Sequence, residues 1–418
     1  MPSEIIQTMA WIKWAGAEVN RDLGLLAEGK ANAIADAALR IAHGELQEQF
    51  PLSVWQTGSG TQSHMNVNEV IASIASTKQQ LIHANDDVNK GQSSNDVFPT
   101  AINLAVILQA NLYLLPAVNH LRQALQKKTL DFMPIIKIGR THLQDATPIS
   151  LGQEFSGYDA QIASFELNAG YTLFALHSLA IGGTAVGTGL NTHPEFGLRV
   201  AAKLAAKFEL PLIQSPNLFA AMAGMEALVA FHGTLKQLAI SLIKIGNDLR
   251  LMASGPRAGL GELQMPRNEP GSSIMPGKVN PTQIEALNMV AAQVLGHDAS
   301  LSFAASQGQF ELNVFQPLFA LNILQSMRLL ADTMISFTNN CVNGIHANEA
   351  RIEKLLQSSL MLVTALTPRI GYDKAAEIAE HAYNHDITLR QAAISLNLVT
   401  GEDFDVWVDP HNMVGSLH

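Results

Sequence analysis

Five predicted loops are rich in small polar residues and lie at or beside predicted helix starts. Backbone N–H groups at a helix start lack intrahelical partners, so together with hydroxyl and amide side chains they bind anions well. The loops also carry Lys278 and His142 but no cluster of metal-ligating residues. This combination favours a small, multiply anionic substrate such as a dicarboxylate, with proton transfer as the chemistry. The loops cover residues 58–62, 83–86, 92–96, 139–145 and 271–281.

The longest of these loops, residues 271–281, leads into a predicted helix. Asn280 is a good N-cap, Pro281 suits the first helical position and Gln283 the third. Lys278 precedes this start, where its charge and the free N–H groups would attract an anion. Glycines near both ends suit a loop that closes over a substrate. A Walker loop is excluded because the glycine spacing is one residue too long, and an ordinary surface loop remains the alternative.

The loop at 92–96 also precedes a helix, because Pro99 is suited to a first helical turn. Ser93, Ser94 and Asn95 are all able to cap that helix. Capping uses one such residue and three are present. Anion binding by the others is therefore the alternative to a purely structural role.

His142 lies shortly before another predicted helix start, in which Thr147 is the cap and Pro148 the first helical residue. This position places His142 in a loop rather than on the apolar face of a helix. A loop histidine is able to act as an acid or base, whereas a histidine on an apolar face is more often a satisfied core residue. A purely structural role of His142 remains the alternative.

Most of the chain has apolar residues at helical spacing, which predicts an all-α protein. A first amphipathic helix begins near Ile5, and a second covers about 31–42 with Gly44 at its end. Alternating β patterns are scarce and short. We therefore expect a central bundle of long helices with a smaller domain at each end. Longer helices are predicted at about 95–129, 148–179, 216–253, 281–295 and 311–339, and short ones at about 348–407.

The composition of the chain is poor in charge. It has 418 residues, of which 47% are hydrophobic and 15% charged, with a formal net charge of −10. Soluble domains average about 25% charged residues. The hydrophobic content excludes intrinsic disorder, and the acidic balance argues against nucleic-acid binding. Much of the surface is therefore expected to face other protein.

The chain is expected to be cytoplasmic and free of membrane contact. Cys341 is the single cysteine, so no intramolecular disulfide or cysteine-based zinc site can form. The first residues lack the basic and apolar regions of a signal peptide. An uncharged stretch at 97–121 is long enough to cross a bilayer, but it contains polar side chains and Pro116. We interpret it as an internal helix of the bundle.

The segment GSSIMPGKVNP at 271–281 resembles the signature loop of the fumarase/aspartase superfamily, whose members add to or eliminate across fumarate-type double bonds. We call residues 271–281 the signature loop. The resemblance runs from about Met1 to Ser416 and is most similar to class II, iron-independent fumarate hydratases. Aspartases usually carry Gln and Ala where this chain has His142 and Gly277. The other matching segments are GSGTQSHMNVNEV, VNKGQSSNDVFPTA, KIGRTHLQDATPISLGQEFSGY and GGTAVGTGLNTHPEFG.

The resemblance implies an all-α, three-domain fold with a central bundle of long helices. The domains would cover 1–95, 96–350 and 351–418, with Met1 aligned inside the family's first domain. It implies a hydro-lyase that reversibly hydrates fumarate to L-malate through an aci-carboxylate, with no metal and no cofactor. It also implies a homotetramer whose active sites are shared between subunits.

The resemblance also assigns roles to individual residues by motif. Ser272 would remove or return the C3 proton of malate, His142 would be the second acid/base group, and Glu285 would be its charge partner. A second, non-catalytic dicarboxylate site would comprise His83, Ala84, Asn85 and Asp86. The substrate contacts would be Ser59, Gly60, Thr61, Ser93, Ser94, Asn95, Thr141, Ser273, Lys278, Val279 and Asn280.

Two other functions remain open from the sequence. An aspartase-like lyase would require ammonia, whereas a fumarase would not. A non-catalytic oligomer that kept the fold would show no turnover even as a well-folded tetramer.

Overall fold

The computed structural model describes residues 1–415 and is dominated by helices, which confirms the all-α prediction. Residues 416–418 of the predicted C-terminal domain lie outside the described residues. The helices are α1 (Ser3–Asp22), α2 (Glu28–Ala42), α3 (Thr61–Ala75), α4 (Ser94–Gln109), α5 (Leu115–Phe132), α6 (Leu151–Ala175), α7 (Phe196–Phe208), α8 (Leu218–Ala223), α9 (Glu226–Met252), α10 (Thr282–Ala305), α11 (Gln316–Asn340), α12 (Glu349–Ser358), α13 (Thr367–Ile370), α14 (Tyr372–His385), α15 (Leu389–Ser395) and α16 (Gly401–Trp407).

The strands of the described residues form small two-stranded sheets. The first is an antiparallel hairpin, in which Ile136 pairs with Ser150 and Thr141 with Gln144. The second pair is parallel and the third antiparallel. The strands are β1 (Ile136–Thr141) with β2 (Gln144–Ser150), β3 (Ser178–Leu179) with β4 (Ile213–Gln214), and β5 (Leu263–Gln264) with β6 (His346–Ala347).

The helix predicted at 95–129 is observed as α4 and α5, joined by a π-helical turn at Ala110–Leu114. Pro116 is the second residue of α5, two residues after the end of this turn. Proline has no N–H to bond to the carbonyl four residues earlier, so the regular ladder cannot continue through it. A π turn is one of the ways in which a long helix absorbs such a lost bond.

The helix predicted at 148–179 begins later, because Pro148 lies in β2 and α6 starts at Leu151. The predicted cap at Thr147 is therefore wrong. Ser150 caps α6 instead. Its Oγ accepts a hydrogen bond from the Gly152 N–H at 3.1 Å, and its N–H donates to Gln153 Oε1 at 2.9 Å. A two-stranded sheet has only edge strands, and these tolerate a proline.

Two other predicted helices have different bounds in the structure. The one expected at 216–253 is divided into α8 and α9 at Gly224, a residue type that favours helix ends. The one expected at 281–295 continues to Ala305 as α10. The first helical residue of α10 is Thr282, so Pro281 occupies the position before the helix. The cap predicted at Asn280 is therefore one residue too early.

The described chain divides into two compact units, and their boundaries fall inside α5, α6, α9, α10 and α11. Unit 1 comprises Met1–Ala117, Phe165–Ile240 and Met289–Asp332, and unit 2 comprises Val118–Ser164, Ser241–Asn288 and, of the described residues, 333–415. The three domains expected at 1–95, 96–350 and 351–418 remain a prediction.

Unit 1 is built around α1, which packs against α2, α3, α4 and α7. Met9 and Ile12 of α1 are fully buried. Burial of each such side chain contributes about 1.5 to 3 kcal/mol. This packing holds the N-terminal ends of α3 and α4, which begin at two of the predicted substrate loops.

Unit 2 contains the β1–β2 hairpin, which packs against α12 and the 3₁₀ segment Leu360–Leu366. Ile136 and Ile138 of β1 join a hydrophobic core with Leu366, Ile378 and other residues of the C-terminal helices. The hairpin is therefore anchored at its base by apolar contacts. Its tip, at His142 and Leu143, is exposed.

Three helical stretches of the described residues are long and apolar enough to cross a membrane: Ser94–Phe132, Glu226–Met252 and Gln316–Gly344. Between 50% and 56% of the residues in their most apolar windows are buried within the chain. Each stretch therefore has an apolar portion that the single chain leaves exposed.

Candidate active site

Three hydroxyl groups form a hydrogen-bonded chain at the starts of two helices in unit 1. Ser59 Oγ lies 2.7 Å from Thr61 Oγ1, which lies 2.8 Å from Ser94 Oγ. Thr61 is the first residue of α3 and Ser94 the first of α4. We call Ser59, Thr61 and Ser94 the hydroxyl cluster. Hydroxyls and helix N-termini placed together in this way are able to donate several hydrogen bonds to one carboxylate.

Ser93 is the cap of α4. Its side chain accepts a hydrogen bond from the Asn95 N–H at 3.2 Å, and Asp96 Oδ1 accepts one from the Ser93 N–H at 2.9 Å. Capping therefore uses Ser93 and leaves the Ser94 hydroxyl to face Thr61. Asn95 Nδ2 donates to the Ala185 carbonyl at 2.8 Å, which ties this helix start to the glycine-rich segment after β3.

Gly60 allows the loop before α3 to pass close to α4. Its φ is +71°, and a Cβ at this position would lie 2.2 Å from the ring of Phe98. Any L-residue would be strained in this conformation and would collide with the ring. The close approach requires glycine here, and a contact of Gly60 with substrate stays a prediction.

Asp96 is a buried carboxylate behind the same helix start. Its Oδ2 accepts hydrogen bonds from the Gly182 N–H at 2.9 Å and the Thr184 N–H at 3.1 Å. Burial raises the pKa of Asp96 to about 6, although these backbone donors and Lys13 oppose the rise. Asp96 is not among the site residues predicted from the sequence, although the Ser-x-x-Asp spacing of a capping box is a local signal for it.

His142 and Leu143 form the two-residue turn of the β1–β2 hairpin in unit 2. Their φ values are +57° and +61°, which is the pattern of a type I′ turn. A left-handed conformation costs a non-glycine residue about 1 to 2 kcal/mol. Such strain persists only where surrounding contacts impose it, and it is common at functional sites. The turn presents Thr141 and His142 exposed at the hairpin tip.

A buried ion cluster holds the end of β1 that leads into this turn. Arg140 makes two hydrogen bonds to Glu262, at 3.0 and 2.9 Å, and Glu262 is fully buried. Lys137 Nζ lies 3.4 Å from Glu262 and 3.0 Å from Glu154. We call Lys137, Arg140, Glu154 and Glu262 the Glu262 ion cluster. It fixes β1 two residues before His142.

Ser272 lies in the signature loop of unit 2, and its Oγ accepts two backbone hydrogen bonds. The donors are the N–H groups of Ile274, at 3.3 Å, and Met275, at 3.0 Å. Hydrogen bonds to the charged form of a group favour that form. The loop therefore places the stabilisation that a serine alkoxide needs directly at the Ser272 oxygen.

The signature loop is closed by its own backbone. The Gly271 N–H donates to the Lys278 carbonyl at 3.1 Å, and Asn280 Nδ2 donates to the Gly271 carbonyl at 2.7 Å. A Cβ on Gly271 would lie 2.3 Å from the Lys278 carbonyl oxygen, so the loop needs glycine here. The side chain of Lys278 is exposed and forms no ion pair within residues 1–415.

The remaining predicted residues of unit 2 lie around the same loop or on α10. Ser273 is exposed and Val279 is partly buried. Glu285 is exposed in the first turn of α10. Among the described residues, no hydrogen bond or ion pair joins Glu285 to His142. The predicted charge pair is therefore not formed within the single chain.

The second predicted site forms one surface turn of unit 1. His83 Nδ1 accepts a hydrogen bond from the Asp86 N–H at 3.0 Å and lies 3.1 Å from its carboxylate. Ala84–Val88 is a π-helical turn, in which Asn85 and Asp86 are exposed. Asp87 pairs with Lys30 at 2.6 Å. Burial alone would raise the pKa of Asp87, but the hydrogen bond from the His83 N–H and the pairing with Lys30 lower it below its usual value. The turn exists as a unit, and its binding role stays a prediction.

No group of three or more His, Cys, Asp or Glu side chains in residues 1–415 is arranged to hold a metal ion.

Comparison with known proteins relates this arrangement to a family. A family model described as lyase matches residues 1–296, and one described as fumarase C C-terminus matches residues 362–415. The chain is 58% identical to the class II fumarate hydratase of Chromobacterium violaceum, over 99% of this chain and 91% of that protein. It is 56% identical to that of Ralstonia nicotianae, over 99% and 92%. The chain belongs to the class II fumarate hydratase family.

Solved structures of this family and its relatives have the same fold. A class II fumarase from Schistosoma mansoni is 44% identical and superposes with a TM-score of 0.97, over 99% of this chain and 91% of that one. A fumarate lyase of Brucella melitensis, described with delta crystallin and bound to cobalt, is 42% identical with a TM-score of 0.95 over the same shares. Of the branches that the sequence left open, these relatives support the fumarase branch.

Proposed function

We propose that this protein interconverts fumarate and L-malate by reversible hydration, as a hydro-lyase. The observation that carries the proposal, beside the family membership, is the pair of backbone N–H groups at the Ser272 oxygen. A fumarase must remove a weakly acidic proton next to a carboxylate. A serine can do this only where its alkoxide is stabilised.

In the malate-to-fumarate direction, Ser272 Oγ takes the C3 proton. The electron pair of the broken C–H bond moves into the adjacent carboxylate, which becomes an aci-carboxylate with an additional negative charge. The C2–OH bond then breaks, and a proton supplied to the departing oxygen gives water. Hydration is the reverse sequence, so protons and electrons balance without an external reductant or oxidant.

The aci-carboxylate needs donors that are already aimed at the position where its charge develops. Lys278, with no partner in the described chain, can supply a full positive charge. The N-terminal N–H groups of α10 add the positive end of the helix dipole. Asn280 supports the loop through Gly271, and its own contact with substrate is part of the proposal.

His142 is proposed to act on the departing or attacking water. The hairpin tip holds its ring exposed, and the Glu262 ion cluster fixes the strand that leads to it. Thr141, the preceding residue, would place its hydroxyl beside the same water or carboxylate. Glu285 would act as charge partner only if His142 of another subunit meets it.

The other carboxylate of the substrate is assigned to the hydroxyl cluster, together with Asn95. The proposal is supported by the two helix starts and three hydroxyls that converge there. A carboxylate could replace the hydroxyl–hydroxyl contacts by charge-assisted bonds, which are roughly twice as strong as neutral ones.

We also propose a homotetramer in which active sites take residues from different subunits. The partly unburied apolar windows of the long helices support an assembly, since a single chain leaves them facing water. Leu167, Tyr171 and Phe174 of α6 are 63%, 72% and 68% exposed. A cytoplasmic location and an additional dicarboxylate site at His83–Asp86 also remain proposals.

The hydration assay tests the function directly. Purified protein should consume fumarate, followed by its ultraviolet absorbance, in a buffer without ammonia or added metal. A requirement for ammonia would support an aspartase-like lyase. No turnover by a folded oligomer would support the non-catalytic alternative.

Subunit sharing has its own test. Ser272→Ala and His142→Asn variants, each nearly inactive alone, are co-expressed with different tags and isolated as mixed oligomers. Recovery of part of the wild-type activity requires that Ser272 and His142 of one site come from different chains. No recovery in verified mixed oligomers would place both in one chain.

A further inference from the structure

The side chain of Lys13 is fully buried in unit 1 and, among residues 1–415, has no carboxylate in direct contact. Its Nζ lies 2.7 Å from His64 Nε2, 2.9 Å from Asn89 Oδ1 and 3.0 Å from Gln92 Oε1. A buried ammonium is costly unless its N–H groups are satisfied. Here three neutral acceptors match its three donors. We call Lys13, His64, Asn89 and Gln92 the Lys13 network.

The Lys13 network connects the two helix starts that form the hydroxyl cluster. His64 lies in α3, three residues after Thr61, and Gln92 lies two residues before Ser94. Lys13 is therefore bonded to both segments, close in sequence to the hydroxyls. Gly16, one turn further along α1, lies so near that a Cβ there would be 3.0 Å from Gln92 Nε2.

The three contacts of Lys13 Nζ can be satisfied in two proton states. When Lys13 is an ammonium, its three N–H groups donate to His64 Nε2 and to both amide oxygens, and His64 carries its proton on Nδ1. When Lys13 is a neutral amine, it donates twice and its lone pair accepts. His64 must then carry its proton on Nε2 and donate to Lys13. The loss of one proton thus changes the His64 tautomer while Lys13 Nζ and His64 Nε2 stay hydrogen-bonded to each other.

The charges around the network favour this exchange near neutral pH. Burial lowers the pKa of Lys13 to about 7 and lowers the pKa of His64 well below its usual value, so His64 stays neutral. Asp96 of α4 acts in the opposite direction and raises the pKa of Lys13. Asp96 itself ionises at a pKa of about 6.

The basic groups on α2 and α7, two helices that pack against α1, have other partners in the described chain. From α7, Lys203 pairs with Glu18 and Lys207 lies over the ring of Trp11. From α2, Lys30 pairs with Asp87 and Arg40 with Glu45. The groups that act on the Lys13 side chain are thus His64 and Asp96.

We propose that Lys13 and His64 are positioning residues that couple the hydroxyl cluster to pH, so that the substrate dianion binds best while Lys13 carries its proton. This inference rests on the proposed function of the hydroxyl cluster. With the ammonium present, the charge of Asp96 is balanced. After the proton is lost, the Asp96 carboxylate is unbalanced and opposes an incoming dianion.

The first test measures KM and kcat for fumarate from about pH 6 to 9 in the wild type and in Lys13→Met. In the wild type KM should rise by up to about tenfold per pH unit above the transition, because only the protonated fraction binds well. Lys13→Met should have a raised KM at the pH values at which Asp96 is ionised, and its KM should no longer follow the Lys13 transition, with kcat changed less. Lys128→Met is the matched control, since Lys128 is also a buried lysine and donates to the Ile345 carbonyl.

The second test uses the wild type alone and does not depend on activity. Histidine labelled with ¹⁵N in the ring reports which nitrogen of His64 carries the proton, with the signal assigned by its loss in His64→Gln. A change from Nδ1–H to Nε2–H between about pH 6 and 9 is expected. One unchanged tautomer, or a Lys13→Met profile equal to the wild type, would overturn the proposal. If the protein does not hydrate fumarate, the proposed function fails while this signal still tests the proton exchange.

Discussion

Ser59 and Ser94 are each 8% exposed and bond to each other through Thr61, whereas Ile274 and Met275 beside Ser272 are 83% and 47% exposed. Both regions supply groups for the proposed reaction, but different contacts hold them. The hydroxyl cluster is fixed by side chains and lies next to the Lys13 network. The signature loop is held by a few bonds of its own backbone.

This difference in exposure and in the contacts that hold each region matches the roles proposed for the two regions. A site that binds one carboxylate of every substrate gains from hydroxyls that are already oriented, because less ordering is needed on binding. A loop that must admit substrate and then exclude water needs low local stability. The loop still holds Ser272 Oγ, the oxygen proposed to take the proton, through the N–H groups of Ile274 and Met275.

The largest loss of activity is expected from a substitution in the exposed signature loop. Ser272→Ala removes the proposed base, so kcat should fall by about 10²- to 10⁴-fold, with the melting temperature nearly unchanged. Steady-state kinetics and thermal unfolding measure the two effects. Ser358→Ala is the control, because Ser358 is exposed and its hydroxyl donates to the Lys354 carbonyl of the same helix. More than a tenth of wild-type kcat in Ser272→Ala would remove Ser272 from the mechanism.

A change in the Glu262 ion cluster should have the next largest effect. This cluster holds the β1–β2 hairpin by side-chain contacts, whereas the signature loop is held by its own backbone. Glu262→Gln leaves Arg140 and Lys137 without their buried carboxylate. Breaking such a pair costs about 3 to 5 kcal/mol of the free energy of unfolding. Denaturant unfolding should show this loss, together with a lower kcat from a misplaced His142. Glu353→Gln, on an exposed helix surface, should change neither, and an unaltered Glu262→Gln would show that the hairpin is fixed by its apolar base.

Within the hydroxyl cluster, Thr61→Val should have a smaller effect and act on binding. The change keeps the shape and removes the hydroxyl that links Ser59 to Ser94, and a neutral hydrogen bond contributes about 0.5 to 1.5 kcal/mol. KM for fumarate should rise about tenfold, or 1.4 kcal/mol, with kcat changed less. Thr147→Val in exposed β2 serves as the control. A change confined to kcat would place Thr61 with the chemistry and weaken the contrast between the two regions.

Local patterns predicted much of both regions. Short-range signals identified the polar loops, the start of α4 and the glycines, because capping and turn chemistry depend on neighbouring residues. The long helices followed from apolar spacing, with errors at Pro116, Pro148 and Gly224, where backbone details changed their bounds. The His142 turn was missed because it has left-handed residues without the Gly or Asn that usually signals them.

The buried polar contacts could not be read from the sequence, because their partners are distant in the chain. Lys13 lies in an apolar stretch that predicts only a helix, and its partners are 51 to 79 residues away. Arg140 and Glu262 are 122 residues apart. No neighbouring residue indicates that Lys13 or Glu262 is buried. Only the tertiary structure shows that these two charged side chains support the predicted site residues.

The smallest effect on activity is expected for a buried polar chain of unit 1, which takes no part in the proposed chemistry and acts on stability alone. His232 Nε2 and His297 Nδ1 each lie 2.9 Å from Ser326 Oγ, and His232 Nδ1 lies 3.2 Å from Asp298. Burial lowers the pKa of both histidines, so below about pH 6.5 the unfolded chain binds protons that the folded chain does not. Stability should therefore be full above that pH and fall by up to about 1.4 kcal/mol per pH unit for each histidine as the pH decreases.

Urea unfolding between pH 5 and 8 measures this slope, which should become shallower in His297→Asn. His411→Asn, at an exposed position, should leave it unchanged. An unaltered slope in His297→Asn would mean that the buried chain of unit 1 does not set its acid sensitivity.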